Sequence, residues 1–236
     1  MNTAIITTIN TIKMENRFKN ANEAFKHYKK HIIYDGVQFD DTSALFNVGF
    51  YIDKPMDNLI EDEDRNWKLD YAEAEWQWYL SGDNNIEKLG ELYGKVPEIW
   101  KRMANDHGYV NSNYGYQWQR SDWNGTSQYD YVINLLRQNP RTRQAAISIY
   151  DAKEHPKYKN DTPCTYAIQF TITGQKLNMC VTMRSNDLWY GFCNDQYCFS
   201  KLQIKVADEL ELLVGDYYHF AHNLHLYDNI IDKING

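Results

Sequence analysis

Residues 183–213 read MRSNDLWYGFCNDQYCFSKLQIKVADELELL. Asp195, Phe199, Leu202, Val206, Leu210 and Leu213 recur in it at helical spacing, which predicts an amphipathic helix with a carboxylate on its apolar side. Asp195 falls in the first turn. There the helix dipole and the free N–H groups stabilise a carboxylate by only about 0.3–1 kcal/mol, little beside the cost of burying it. A ligand donating hydrogen bonds to Asp195 is the natural complement. Just upstream, residues 176–183 alternate in character as a strand does. Arg184, Ser185, Asp187 and Asp195 therefore gather around one strand-to-helix turn, a site suited to something both anionic and amine-bearing.

Outward from that turn, residues 165–173 and 176–183 predict a hairpin about Gly174-Gln175. Residues 145–150 and 44–52 read as further strands. Helices are expected over 21–28, 67–80, 96–106 behind Pro97, and 128–138 before Asn139-Pro140, with 111–118 a polar aromatic loop. The acidic run 61–64 reads as a solvated face or a helix start. Helices first and then paired strands indicate an α+β class. At 236 residues, with no Gly/Ser/Pro-rich linker, residues 1–236 read as one domain.

A net charge of −7 argues against a protein built to grip duplex nucleic acid, although an arginine cluster can still hold one phosphate. The four cysteines lack a C-x-x-C spacing and read as free thiols in a reducing compartment. Residues 1–12 are apolar and threonine-rich, without a basic leader or a length that could span a bilayer. Neither membrane attachment nor export is expected. The 19 Tyr and 7 Trp serve either core packing or the stacking of planar ligands.

Two residues carry candidate chemistry before any resemblance is invoked. On the helix expected over 67–80, Glu75 shares a face with Trp67, Tyr71, Trp78 and Tyr79. It is either a desolvated proton carrier near neutral pH or a carboxylate whose tip reaches water past the rings. Cys164, beside Pro163 at the start of a strand, is either a small core residue or a nucleophile; the latter needs a positive field from Arg143 or Arg184.

Six collinear motifs then narrow the reading. They are Glu75-Trp-Gln-Trp-Tyr-Leu-Ser-Gly-Asp83, Tyr114-Gly-Tyr-Gln-Trp118, Pro163-Cys164, Arg184-Ser-Asn-Asp187 with Gly191, Val214-Gly-Asp216 and His225-Leu-Tyr227. In order and spacing they resemble the thymidylate synthase family over roughly residues 67–227. Within it, Asn111-Ser-Asn-Tyr-Gly115, Met183-Arg-Ser-Asn-Asp187 and Gly191-Phe-Cys-Asn-Asp195 are most similar to the deoxycytidylate hydroxymethylases of T-even phages. Thymidylate synthases carry asparagine where this chain has Asp195. An ionised carboxylate only accepts hydrogen bonds, which suits the cytosine amine and not the uracil carbonyl.

The resemblance implies a thymidylate-synthase-type fold, a mixed β-sheet packed with helices, in a homodimer. Cys164 would attack carbon 6 of a pyrimidine deoxynucleotide, so that carbon 5 takes up the one-carbon unit of 5,10-methylenetetrahydrofolate. Glu75 and Tyr114 would handle protons through ordered water. Arg184 and Ser185 would hold the phosphate, with Arg143 reaching across from a second subunit, while Asp195 reads the base and His225 and Tyr227 bind the sugar hydroxyl. Trp100, Asp187 and Gly191 match folate-contacting positions. The series His219, His222, His225 is not read as a metal site, because alternation splays such residues and no carboxylate spacing supports it.

Three departures from the family pattern stand out. The paired arginines appear as Arg143-Gln144, and the basic phosphate loop has no counterpart between residues 34 and 48. The chain runs only nine residues past Tyr227, where thymidylate synthases continue with a closing tail. Together with the polar 111–113 segment as a holder of water, this gives an expectation of dCMP hydroxymethylation in a phage-infected cytoplasm. The rival readings are methylation, of dUMP or of a cytidylate, and a nucleotide-binding protein that has lost catalysis.

Overall fold

A computed structural model describes residues 16–121 and 125–236. The expectations for residues 1–12 lie outside them. In chain order the elements are β1 (Arg17–Phe18), α1 (Ala21–Asp35), β2 (Val37–Phe39), β3 (Thr42–Ile52), α2 (Leu69–Ser81), α3 (Ile86–Tyr93), α4 (Glu98–Met103), α5 (Tyr114–Gln119), α6 (Gln128–Gln138), β4 (Ala146–Ser148), β5 (Thr165–Thr173), β6 (Lys176–Met183), β7 (Asn186–Asp187), α7 (Cys193–Glu209), β8 (Leu213–Tyr227) and α8 (Asp228–Asn235). One mixed sheet runs β1-β3-β8-β6-β5-β4, with β2 on β3 and β7 on β8. The α+β class expected from the sequence, a mixed β-sheet packed with helices, is the one observed.

The sheet is built around β8, antiparallel to β3 and parallel to β6. Its alternate residues Tyr217, His219 and Ala221 are buried. Tyr218 and Phe220, on the opposite face, remain half-exposed, as do Tyr51 on β3 and Tyr166 on β5. Helices α1, α2 and α7 close over the buried face, where Phe25, Phe50, Ile168, Val181, Phe199 and Leu202 meet. Burying each such side chain contributes on the order of 1.5–3 kcal/mol, and the apolar stripe of α7 supplies several of them. Among the described residues no helix is long and apolar enough to cross a membrane.

The hairpin β5–β6 and helix α6 lie where the sequence pattern put them. Other elements differ for identifiable reasons. Helix α1 continues to Asp35, because Tyr28 and Ile32 extend its buried stripe. Helix α2 begins at Leu69, so Trp67 lies outside it, its indole donating to Asn194 Oδ1 at 2.8 Å. The run 61–64 starts no helix, and Asp62 is enclosed against Lys29 Nζ at 2.6 Å. Helix α4 is shorter than expected. Segment 111–118 is not all loop, for Asn113 caps α5 by accepting from Tyr116 N at 2.8 Å. Gly115 is obligatory there, since a Cβ would lie 2.0 Å from the Tyr79 carbonyl of α2. Finally α7 ends at Glu209, and Leu213 opens β8, exposed rather than in the helical stripe.

Candidate active site

The turn from β6 into α7 is the floor of the site. After Met183 the chain makes the two residues of β7 and then a single π-helical turn, Leu188–Phe192, which runs into α7. Such turns are rare and cluster at functional sites. Asp187 caps this one, accepting from Trp189 N at 2.8 Å, and burial pushes its carboxyl up to about 6. Arg65 lies over the rings of Trp189 and Tyr190 and donates to the Trp189 carbonyl. At Gly191 a Cβ would come within 3.1 Å of Asn186 Nδ2 and 3.3 Å of Asp195 Oδ2. The missing side chain leaves a cradle beside both groups.

Asp195 is placed by α7 as expected, on the inward side of its first turn, with Oδ2 accepting from Asn186 Nδ2 at 2.8 Å. Burial first and the Glu75 carboxylate second push its proton affinity well above the usual carboxylate range. That direction favours a protonated carboxyl over the ionised group expected from the sequence. A neutral carboxyl presents one donor and one acceptor, matching the acceptor N3 and donor N4 of cytosine.

Cys164 precedes a β-bulge between Thr165 and Ala167, which re-aims the start of β5. Its thiol is half-buried, and burial pushes it up to about 11. Arg184 opposes that shift, with Nη2 3.6 Å from Cys164 Sγ. The same guanidinium donates to Thr162 O at 2.8 Å and Pro163 O at 3.1 Å, which locks it against the Cys164 loop, and Tyr150 is a further side-chain partner. Arg143, the other candidate source of positive field, is exposed and far from this group. It lines a cleft of about 350 Å³ with Pro140, Thr142, Gln169 and Thr171.

Glu75 lies on the buried face of α2, and its tip does not reach water. Tyr79 donates to Oε1 at 3.1 Å, and Tyr71, itself held by Trp100 Nε1 at 2.8 Å, is its second partner. Among the described residues Oε2 lies within hydrogen-bonding distance and geometry of no partner. Burial raises the carboxyl to about 7, which suits a group that exchanges protons near neutrality. Tyr114 stacks on Phe199 at 5.5 Å, its hydroxyl among Thr165, Cys164, Asp195 and Asp161. Trp100 is half-buried against Trp78 at the rim.

On β8, His225 is paired in register with Asp187 of β7. Its Nδ1 lies 2.9 Å from Asn223 Oδ1, an acceptor, so Nε2 keeps a lone pair for a ligand hydroxyl. Burial lowers its affinity for a second proton. Tyr227 stands edge-on to His225 at 5.4 Å. Ser185, between Arg184 and β7, is half-buried with its hydroxyl uncommitted. The structure thus brings together every candidate site residue of the sequence except Arg143. Among the described residues no cluster of His, Cys, Asp and Glu could hold a metal ion.

Several site residues escaped the sequence reading. Asp161, beside Cys164 in the chain, accepts from Asn111 N at 2.5 Å and Ser112 N at 2.7 Å, and also from the Ser112 hydroxyl. Segment 111–113 is therefore anchored through Asp161 beside the Cys164 loop. Tyr217, His219 and Asn186 form a buried chain behind Asp195. Period-two spacing of Tyr217 and His219 was the available signal.

Comparisons with known proteins agree with this geometry. The thymidylate synthase family model matches residues 52–236. A thymidylate synthase from Fusobacterium nucleatum is 31% identical over 220 residues, covering 92% of this chain and 73% of that protein. The deoxycytidylate 5-hydroxymethyltransferase of Enterobacteria phage T4 is 32% identical over 184 residues, 74% of this chain and 68% of the phage protein. In structure, the thermostable thymidylate synthase A of Bacillus subtilis superposes with a TM-score of 0.76 at 22% identity, over 91% of this chain and 82% of that one. Sequence and fold together establish that the chain belongs to the thymidylate synthase family.

Proposed function

We propose that this protein is a dCMP hydroxymethylase, which moves a one-carbon unit from 5,10-methylenetetrahydrofolate to carbon 5 of dCMP and releases 5-hydroxymethyl-dCMP. Family membership carries the coarser part, folate-dependent one-carbon transfer to a pyrimidine nucleotide. The single observation that carries the finer part is Asp195, a neutral buried carboxyl whose donor and acceptor match the cytosine edge.

In this reading Cys164 adds to carbon 6, with Arg184 stabilising the thiolate that burial otherwise disfavours. The guanidinium of Arg184 and the hydroxyl of Ser185 take the phosphate. His225 Nε2 and Tyr227 take the sugar hydroxyl. The folate, when bound, supplies the one-carbon unit; the Gly191 cradle, the Asp187 carboxyl and the Trp100 indole fit a planar, amine-bearing ring system. Glu75 Oε2, unpartnered and poised near neutrality, holds and deprotonates the water that completes the hydroxymethyl group, and Tyr114 passes protons beside Cys164.

The half-exposed sheet face with Tyr51, Tyr166, Tyr218 and Phe220 supports a homodimer, in which Arg143 serves the partner's phosphate site. A free Cys164 thiol requires a reducing compartment, and we place the enzyme in the cytoplasm.

Asp195→Asn tests the base assignment. The amide restores a donor toward the uracil carbonyl, so the kcat/KM ratio for dCMP over dUMP should fall by on the order of 10⁴-fold. An unchanged ratio would mean that Asp195 does not read the base.

A further inference from the structure

Behind Asp195 lies a chain of polar groups that the chemistry above does not use. Tyr217, His219 and Asn186 are all buried, and they connect end to end: Tyr217 hydroxyl to His219 Nδ1 at 2.9 Å, His219 Nε2 to Asn186 Oδ1 at 3.0 Å, Asn186 Nδ2 to Asp195 Oδ2 at 2.8 Å. Phe50 and Phe192 pack on the His219 ring at 5.2 and 5.3 Å, and among the described residues its nitrogens bond only Tyr217 and Asn186. Burial among those rings lowers the imidazole's proton affinity to about 3, and it is neutral at any working pH.

A neutral imidazole has one donor and one acceptor, so the chain has a direction. In one direction, Tyr217 donates to Nδ1, Nε2–H donates to Asn186 Oδ1, and Asn186 Nδ2–H donates to Asp195. In the other, Asp195 donates to a flipped Asn186, which donates to Nε2, and Nδ1–H donates to the Tyr217 oxygen. The second direction leaves the Tyr217 O–H without an acceptor, since His219 is its one hydrogen-bond partner among the described residues. An orphaned buried donor is costly, and Tyr217 therefore pins the first direction.

We propose that Tyr217, His219 and Asn186 are positioning residues that form a one-way hydrogen-bond relay, which keeps Asp195 Oδ2 an acceptor and confines its proton to Oδ1, thereby setting the choice of cytosine over uracil. With the relay in this direction, Oδ1 offers a donor to N3 of cytosine, and the second lone pair of Oδ2 accepts from the amine. With the relay reversed, both oxygens offer only lone pairs to the ligand; N3 of cytosine loses its partner and the N3–H of uracil gains one. Gly191 belongs to the same device, because its missing Cβ leaves the Asn186–Asp195 bond uncrowded.

This inference rests on Asp195 as the base-reading residue, and the test separates the two. The ratio of kcat/KM for dCMP over dUMP is measured for the wild type, Tyr217→Phe and His219→Gln. Tyr217→Phe removes the pin, and the ratio should fall about 10-fold, with kcat on saturating dCMP changing less than kcat/KM. His219→Gln breaks the relay at its middle and should move the ratio the same way, so a folding failure of either variant leaves the other to decide. In the wild type, ¹⁵N shifts of His219 should report the Nε2–H tautomer from about pH 5 to 9. A wild type that uses dUMP and rejects dCMP overturns the base assignment itself. A wild type that prefers dCMP, with variants keeping that preference within about twofold or with the Nδ1–H tautomer, overturns the relay alone.

Discussion

Glu75 and Asp195 are both buried carboxyls with raised proton affinity, in facing helices of one cleft, yet their surroundings differ in kind. Glu75 keeps one oxygen with no partner inside an aromatic cage. Asp195 has an oxygen fixed by Asn186, which is fixed in turn by His219 and Tyr217. An unpartnered oxygen on a group that titrates near neutrality suits proton exchange with water, whereas a chain of committed hydrogen bonds suits recognition. In the proposed function similar burial serves two different tasks, and what separates them is how many hydrogen-bonding positions the protein leaves free.

The largest effect is expected between the two corners. Cys164→Ala should abolish turnover and covalent adduct formation, by on the order of 10⁴-fold or more, while dCMP still binds. Near-normal turnover would remove the covalent step and with it the need for either corner. Mixing Cys164→Ala subunits with Arg143→Ala subunits should then restore activity, since one site of each heterodimer receives both intact residues. No recovery despite verified subunit exchange would argue for self-contained sites.

Glu75→Gln breaks only the proton-exchanging corner. It should lower kcat by roughly 10²–10⁴-fold while the preference for dCMP over dUMP changes far less, because burial, and only secondly the Glu75 charge, raises the proton affinity of Asp195. A change in preference as large as that in kcat would show that the two carboxyls are not separable. The same variant has a stability signature. Folded Glu75 keeps its proton to about 7, whereas an unfolded glutamate releases it near 4.5. Between these values the folded state binds more protons, so Glu75 makes the protein less stable as pH rises through the window, by about 3 kcal/mol in all, and contributes no further slope above it. Denaturant unfolding of Glu75→Gln against wild type from about pH 4.5 to 7 should show that difference in slope. The smallest effect is expected outside both corners. Asn113→Ala removes the α5 cap and should cost about 1 kcal/mol of stability with no change in nucleotide preference.

Legibility in the sequence followed the same division. The residues proposed to touch ligand could be named because their types are chemically unusual for their positions: a carboxylate in an apolar stripe at 195, another among rings at 75, a cysteine after a proline at 164. Six collinear motifs then supplied order. Residues that act through others gave weaker signals. His219 entered only as a possible metal ligand, and nothing in Asn186 distinguishes an amide that orients a carboxyl from one that caps a turn. Strand β8 was hard to read because Tyr, His and Asn alternate with apolar residues on both of its faces. Helix α5 was read as loop because its six residues are too few for a period to show. The charge state of Asp195 could not follow from its position alone, since it depends on Glu75 arriving from a different helix.

The central claim is that water, and not hydride, completes the new group on a cytosine nucleotide. Purified protein incubated with dCMP and 5,10-methylenetetrahydrofolate tests it directly, with the nucleotide product identified by mass and dihydrofolate followed by its absorbance. A hydroxymethylase yields 5-hydroxymethyl-dCMP with no growth of dihydrofolate absorbance as dCMP is consumed; a methylated product accompanied by stoichiometric dihydrofolate would overturn the proposal.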